Sequence, residues 1–271
     1  MNQSANLLSY KSYVLSSKKN WVIFLHGIGG DSRTFSMQIK AFKPHFNLLL
    51  PDLRGHGASN HMAKPDNGKY SLNLIAKDVF ALMDNLNISK AHFIGGSFGA
   101  TLIREMQEIY PERFISVVTA GGVLRLTNAI YSVFKTGKLL APYINNYFLY
   151  KTMAYIIMPK KNHAKSRALF LKIAKSISPS EYVSWLVILS EVKQKLDDMF
   201  SEPFKSPTLL ILGSQDHAFI KDSIRFCKQH PNTLIHIISS CGHLSNIDKY
   251  SEFNRIALHF IIDKQEVLCP V

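Results

Sequence analysis

The amino-acid sequence predicts an α/β protein with a doubly wound, mostly parallel sheet that is interrupted by a block of helices. Two observations carry this. Short continuous apolar runs alternate with stretches of helical periodicity up to residue 122, and again from residue 208 onward. Between residues 123 and 202 the alternation stops and only helical periodicity remains.

In chain order, residues 10–16 alternate weakly and suit an edge strand. Residues 21–25 (Trp-Val-Ile-Phe-Leu) form an uninterrupted apolar run, the mark of a strand covered on both faces. The run ends in His26-Gly27-Ile28-Gly29-Gly30, a flexible loop ahead of a helix that starts near residues 32–35. Residues 46–50 are a second buried strand, followed by the glycine-rich loop 51–59. Leu72, Ile75, Val79, Leu82 and Leu86 recur at helical spacing. Residues 91–94 are a strand, 100–110 a helix stopped by Pro111, and 114–120 a strand closing on Gly121-Gly122. After the helical block come a strand at 208–212, a helix near 220–228, a strand at 233–239 and a helix at about 250–262. Residues 1–122 and 203–271 are therefore expected to form one core domain, with 123–202 inserted above the carboxyl ends of the strands.

With 271 residues, 46% hydrophobic and 19% charged, the chain suits one large globular core with an insertion. The polar N-terminus has no basic, apolar leader, and no apolar run reaches membrane-span length. Cys227, Cys241 and Cys269 are odd in number and lack metal-ligand spacing. These features lead to the expectation of a reduced, cytoplasmic setting, with no metal and no cofactor. The net charge of +13 admits an anionic partner or a plain surface bias. Nucleic acid is not expected, because no recognition motif or interleaved aromatic platform accompanies the basic residues.

The candidate nucleophile is Ser97, at the centre of Gly95-Gly96-Ser97-Phe98-Gly99 between a strand and a helix. A sharp turn there exposes the hydroxyl at the N-terminus of the following helix, where negative charge is stabilised. A serine needs a base, and the base needs an orienting carboxylate. Asp216 is the only acid in the loop after the 208–212 strand, and His243 lies in the loop after the 233–239 strand. The order Ser97, Asp216, His243 is that of a nucleophile elbow with its partners. His217, directly after the acid, and His236, inside a strand, are rejected as the base. The oxyanion donors are expected to be the amides of Phe98 and Ile28. Gly27, Ile28, Phe98 and Leu244 are the expected substrate contacts. His26, Asp52, Arg54 and His56 read as a hydrogen-bonded brace for the active-site loops.

These residues resemble the α/β-hydrolase superfamily. The matching pieces are His26-Gly27-Ile28-Gly29, residues 52–59, the Ser97 turn, Gly213-Ser214-Gln215-Asp216 and Gly242-His243, which together span nearly the whole chain outside the insertion. The resemblance implies the α/β-hydrolase fold, with an eight-stranded, mostly parallel sheet flanked by helices and a helical cap inserted after the sixth strand. It also implies a Ser97–His243–Asp216 triad. Ser97 stands where dehalogenases and epoxide hydrolases of this superfamily carry aspartate. Leu244 stands where carbon–carbon hydrolases acting on ring-cleavage products usually carry tryptophan.

No Asp or Glu occurs between Arg113 and Ser180, while Arg125, Lys135, Lys151, Arg167 and other cations do, among many bulky apolar residues. An apolar pocket under a basic rim suits small or medium lipophilic esters, including anionic ones. The leading expectation is a serine hydrolase of carboxylic esters working through an acyl-enzyme. Lactone or carbon–carbon hydrolysis, or a lyase of the menaquinone-pathway type, is the alternative on the same frame, with Arg125 and Arg167 as contacts for a substrate carboxylate. A slow ligand-sensing regulator is a further alternative. The basic, apolar cap also allows peripheral contact with an anionic membrane surface. Nothing in the sequence sets an oligomeric state.

Overall fold

Seven strands form one sheet in the computed structural model, which describes residues 7–62, 64–65 and 68–266. They are β1 (Tyr10–Tyr13), β2 (Trp21–Leu25), β3 (Asn47–Pro51), β4 (Ala91–Gly96), β5 (Phe114–Ala120), β6 (Thr208–Gly213) and β7 (Thr233–Ile238). Their order across the sheet is β1-β3-β2-β4-β5-β6-β7. All neighbouring pairs are parallel except β1 with β3. The winding reverses at β2, flanked by β3 on one side and β4 on the other. The carboxyl ends of β2 and β4 thus form the crevice in which such sheets bind ligands.

Among the described residues seven strands stand where the resemblance implies eight, and the insertion follows the fifth of these seven. Outside the insertion the sequence holds one weakly alternating and six apolar stretches of strand length, and each became one strand. Strand β1 stops at Tyr13, short of residue 16, because the Asn47 side chain takes over the pairing. Its Oδ1 accepts from the amides of Leu15 and Ser16 at 2.7 and 3.1 Å. Cys269 and residues 1–6 lie outside the described residues.

The period-2 alternation of strand side chains divides the core in two. Val22, Phe24, Leu48, Leu50, Ile94 and Ile211 face α1 (Ser36–Phe42) and α11 (Tyr250–Glu266), which contribute Phe42, Phe253, Ala257 and Ile261. Ile23, Leu25, Leu49, Phe93, Val117 and Leu210 face the other way. On that side lie α2 (Leu72–Asn85), α3 (Phe98–Ile109) and α9 (Ile220–Gln229), with Ile75, Val79, Leu102, Ile103 and Phe226. A four-residue helix, α10 (Ser245–Asp248), precedes α11.

Between β5 and β6 the described residues are helical or irregular. Five α-helices occur there: α4 (Asn128–Leu140), α5 (Asn146–Ile157), α6 (Ala164–Ala174), α7 (Pro179–Glu191) and α8 (Lys193–Phe200). Thr127, Asn145 and Ser178 cap α4, α5 and α7 by accepting from amides of the first turn, and Pro179 opens α7 where a missing amide costs nothing. Helix α7 ties the insertion to the core, since Trp185 is buried and its Nε1–H donates to the Arg54 carbonyl at 3.2 Å.

Candidate active site

Ser97 sits between β4 and α3 with φ 52° and ψ −119°, a conformation rare for a residue with a side chain. Neighbouring bonds hold it there. Its amide donates to the Ala120 carbonyl at 2.9 Å, and its carbonyl accepts from Val123 at 3.1 Å. The turn needs glycine at 99, where a Cβ would collide with the Leu25 carbonyl of β2. The Ser97 Oγ is 2.9 Å from His243 Nε2, and His243 Nδ1 is 2.9 Å from Asp216 Oδ2. Asp216 is fully buried and His243 nearly so.

The two partner loops are laced together. Ser214 donates to Ile238, and Gln215 to Cys241, both at 2.9 Å. This lacing places Asp216 and His243 side by side although 27 residues separate them. The rejected histidines lie elsewhere: His217 is exposed, and His236 faces Glu252 at 3.9 Å.

The loop after β2 presses onto the Ser97 turn. A Cβ at Gly27 would lie 3.0 Å from Ser97 Cβ and 3.4 Å from the Phe98 nitrogen. Phe98 is the first residue of α3, so its amide has no carbonyl one turn earlier to donate to. Gly27, Ile28, Phe98 and Leu244 all line one cavity together with Ser97 and His243.

Two buried histidines fix that loop. His26 Nδ1–H donates to the Gly27 carbonyl at 2.8 Å, and its Nε2 accepts from the Leu53 amide at 2.9 Å. His56 Nδ1–H donates to the Arg54 carbonyl at 3.1 Å, and its Nε2 accepts from the Gly29 amide at 3.1 Å. Both rings must therefore be neutral. Burial pushes the His26 imidazole down, while burial and the neighbouring His26 push His56 down to about 3. Asp52 accepts from Ser32 at 2.7 Å and Ala58 at 2.9 Å, joining two loops. Arg54 meets Asp78 through two bonds of 2.7 Å. Burial holds the Asp78 carboxyl above its ordinary range despite that partner.

The cavity over Ser97 is walled by the insertion, with Leu126, Phe134, Met153, Ile157, Leu186 and Leu189 among its lining. Among the described residues its lining contains no Lys, Arg, Asp or Glu. Arg125 and Arg167 are not among the lining residues. Arg125 pairs with Asp197 at 2.6 Å, and Arg167 Nη1 donates to the carbonyls of Met158 and Lys160. Arg125 lies in the irregular segment before α4, and the helical periodicity around Arg167 could not show which way its side chain turns.

A second contact, which no sequence pattern announces, joins the insertion to the site. His163 is buried against Gly242, and its Nε2–H donates to Gln215 Oε1 at 2.9 Å. Asn162 donates to the same oxygen at 2.9 Å and to the Ser240 carbonyl at 3.0 Å. Ser166 donates to Asp248 through its amide at 3.2 Å and its hydroxyl at 2.9 Å. No local pattern marks His163 among eleven histidines; only the approach of the α5–α6 connection to the His243 loop singles it out.

The family model described as alpha/beta hydrolase fold matches residues 20–156. The chain is 24% identical over 250 residues to a 2-hydroxymuconate semialdehyde hydrolase of Pseudomonas putida, covering 89% of this chain and 86% of that one. It is also 24% identical over 262 residues to 3-oxoadipate enol-lactonase 1 of Acinetobacter baylyi, covering 89% and 88%. Among solved structures, a thermophilic esterase from Thermogutta terrifontis superposes with a TM-score of 0.80 at 16% identity, covering 95% of this chain and 93% of that one. The elbow, the strand order and these likenesses agree, and the chain belongs to the alpha/beta hydrolase fold family.

Proposed function

We propose that the protein is a serine hydrolase that cleaves carboxylic esters of lipophilic acids or alcohols through an acyl-enzyme. The observation that carries this is the relay Ser97–His243–Asp216, with both links at 2.9 Å, opening onto a cavity lined, among the described residues, by no Lys, Arg, Asp or Glu. His243 Nε2 takes the Ser97 proton as Oγ attacks the ester carbonyl. Asp216 holds Nδ1–H and stabilises the imidazolium. The amides of Phe98 and Ile28 receive the oxyanion, each contributing about 10²- to 10³-fold in such sites. His243 then protonates the leaving alcohol, and deprotonates the water that releases the acid and restores Ser97. Residues 123–202 act as the cap that selects substrate. The apolar lining favours uncharged acyl groups over anionic ones, because a carboxylate would lose hydration without gaining a cation.

Labelling by a fluorophosphonate probe and turnover of a p-nitrophenyl ester series test this reading. Wild type should label at Ser97 and turn over repeatedly, whereas Ser97→Ala should do neither. Absence of labelling in folded wild type overturns it, and labelling with negligible turnover points instead to a ligand sensor. A second reading, hydrolysis of lactones or of carbon–carbon bonds, is supported by the names of the Acinetobacter and Pseudomonas relatives. Faster turnover of an enol-lactone or a ring-cleavage product than of any ester would favour it.

A further inference from the structure

A helix that separates an apolar cavity from water normally carries a polar outer face. Helix α5 does not. Its inner side, with Tyr150, Met153, Ala154 and Ile157, lines the cavity over Ser97. Its outer side presents Phe148, Lys151, Thr152 and Tyr155 at positions i, i+3, i+4 and i+7, and these four line one shallow surface groove. Phe148 is 58% exposed and Tyr155 50%. The last turn of α4 adds Leu139, 71% exposed, and the connection to α5 adds Tyr143, 83% exposed. Together with Tyr147, these make five of the twelve large exposed hydrophobic residues described, all within residues 139–155. Singly scattered apolar residues need no explanation, but a cluster of this kind does.

The charges beside the cluster are of one sign. Helix α6 packs against α5. Lys175 lies over the Tyr147 ring at 5.4 Å, and Arg167 over the Tyr155 ring at 4.7 Å. Lys135, Lys151, Lys172 and Lys175 make no ion pair among the described residues. No acidic residue occurs from 114 to 180. A second copy of a chain with net charge +13 would be repelled from this face. Aromatic rings with one wet edge settle at the headgroup level of a bilayer, and unpaired lysines meet lipid phosphates there.

We infer that the outer face of α5 and the turn before it dock onto an anionic phospholipid bilayer. This places the wall of the cavity over Ser97 against the lipid surface.

Co-sedimentation with vesicles tests the inference without reference to turnover. The full chain should sediment at low salt with phosphatidylcholine vesicles containing about one third phosphatidylglycerol, at least about tenfold more than with phosphatidylcholine alone, and should be released at high salt. Tyr143→Ser with Phe148→Ser, and separately Lys151→Glu with Lys175→Glu, should each cut that binding about tenfold. Thermal unfolding and turnover of a soluble short-chain ester should stay unchanged, since none of these residues lines the cavity over Ser97. Lys11→Glu with Lys18→Glu, on the far β1 edge, should leave binding intact. Should Phe148→Ser fail to fold, Tyr143→Ser alone is the substitute, because Tyr143 makes little packing contact to lose. No sedimentation with the mixed vesicles overturns the inference, as does equal loss in the Lys11/Lys18 variant. Tighter binding to duplex DNA that the α5 variants abolish would also overturn it, in favour of nucleic acid. Failure of the ester assay leaves the vesicle result standing, so the two readings fail separately.

Discussion

His163 lies against the backbone of Gly242, the residue before His243, so closely that a Cβ at 242 would come within 2.7 Å of the imidazole. The insertion and the His243 loop are therefore one packed unit. His163 touches neither Ser97 Oγ nor His243 by hydrogen bonding; it acts through Gln215, which sits beside Asp216.

Loosening this contact should disturb geometry more than binding. His163→Ala is expected to lower kcat on a soluble ester about tenfold with little change in KM, and His163→Gln to restore part of the loss. Gly242→Ala, which must push the loop, should cost up to about 100-fold. An unchanged kcat in both variants, with folding confirmed by circular dichroism, would show that the contact is only packing.

The backbone at Ser97 stores strain that glycine would release. Ser97→Gly and Ser97→Ala should both be inactive, but the glycine variant should be the more stable by about 1 kcal/mol. Urea unfolding of the pair reads this directly. A less stable glycine variant would mean that the turn is not strained at φ 52°.

Acid should destabilise the fold through His26 and His56. In the unfolded chain a histidine binds a proton near pH 6.5, whereas folded His56 resists protonation down to about 3 and folded His26 is also held below its ordinary value. The unfolded state binds more protons in that window. Stability from these groups is thus fully present above about pH 6.5 and is lost as pH falls toward 3, by several kcal/mol at the lower end. The slope of unfolding free energy against pH should be visibly shallower in His56→Asn, although that variant begins less stable. Parallel slopes would remove His56 from the account.

Cavity depth should set chain-length preference. Phe170 packs on Tyr150 and lines the cavity. Phe170→Ala should shift the ratio of kcat/KM between long and short p-nitrophenyl esters by about tenfold toward the longer chain. A uniform loss across the series would place the reacting chain elsewhere.

Burying Asp78 opposite Arg54 leaves no slack for either partner. Asp78→Ala should cost about 3 kcal/mol, because it removes two charge-assisted bonds from a largely buried guanidinium. Chemical denaturation would measure it.

Much of this architecture was legible before any coordinates. The strands β2 and β5 appear at the residues where the apolar runs lie, because a strand covered on both faces must be apolar throughout. Ser97, Asp216 and His243 were legible because each follows a strand at the same sheet edge, so chain order alone restricts where their side chains emerge. The short span of β1 was not legible, since it turns on a side chain 31 residues away from Ser16.

The sequence by itself determined the central strands, the elbow and the three residues facing one another, through local periodicity and the position of strand ends. Only the tertiary structure decided what surrounds them. Helical spacing in the insertion does not say which stripe faces the cavity, so the turning of Arg167 away from it, and the exposure of Phe148 and Tyr155, became visible only once the helices were packed, as did the pairing of Arg125, ahead of α4, with Asp197. The same holds for His163. Its place beside the His243 loop depends on how the insertion lies on the sheet, and that is set by contacts among residues far apart in the chain.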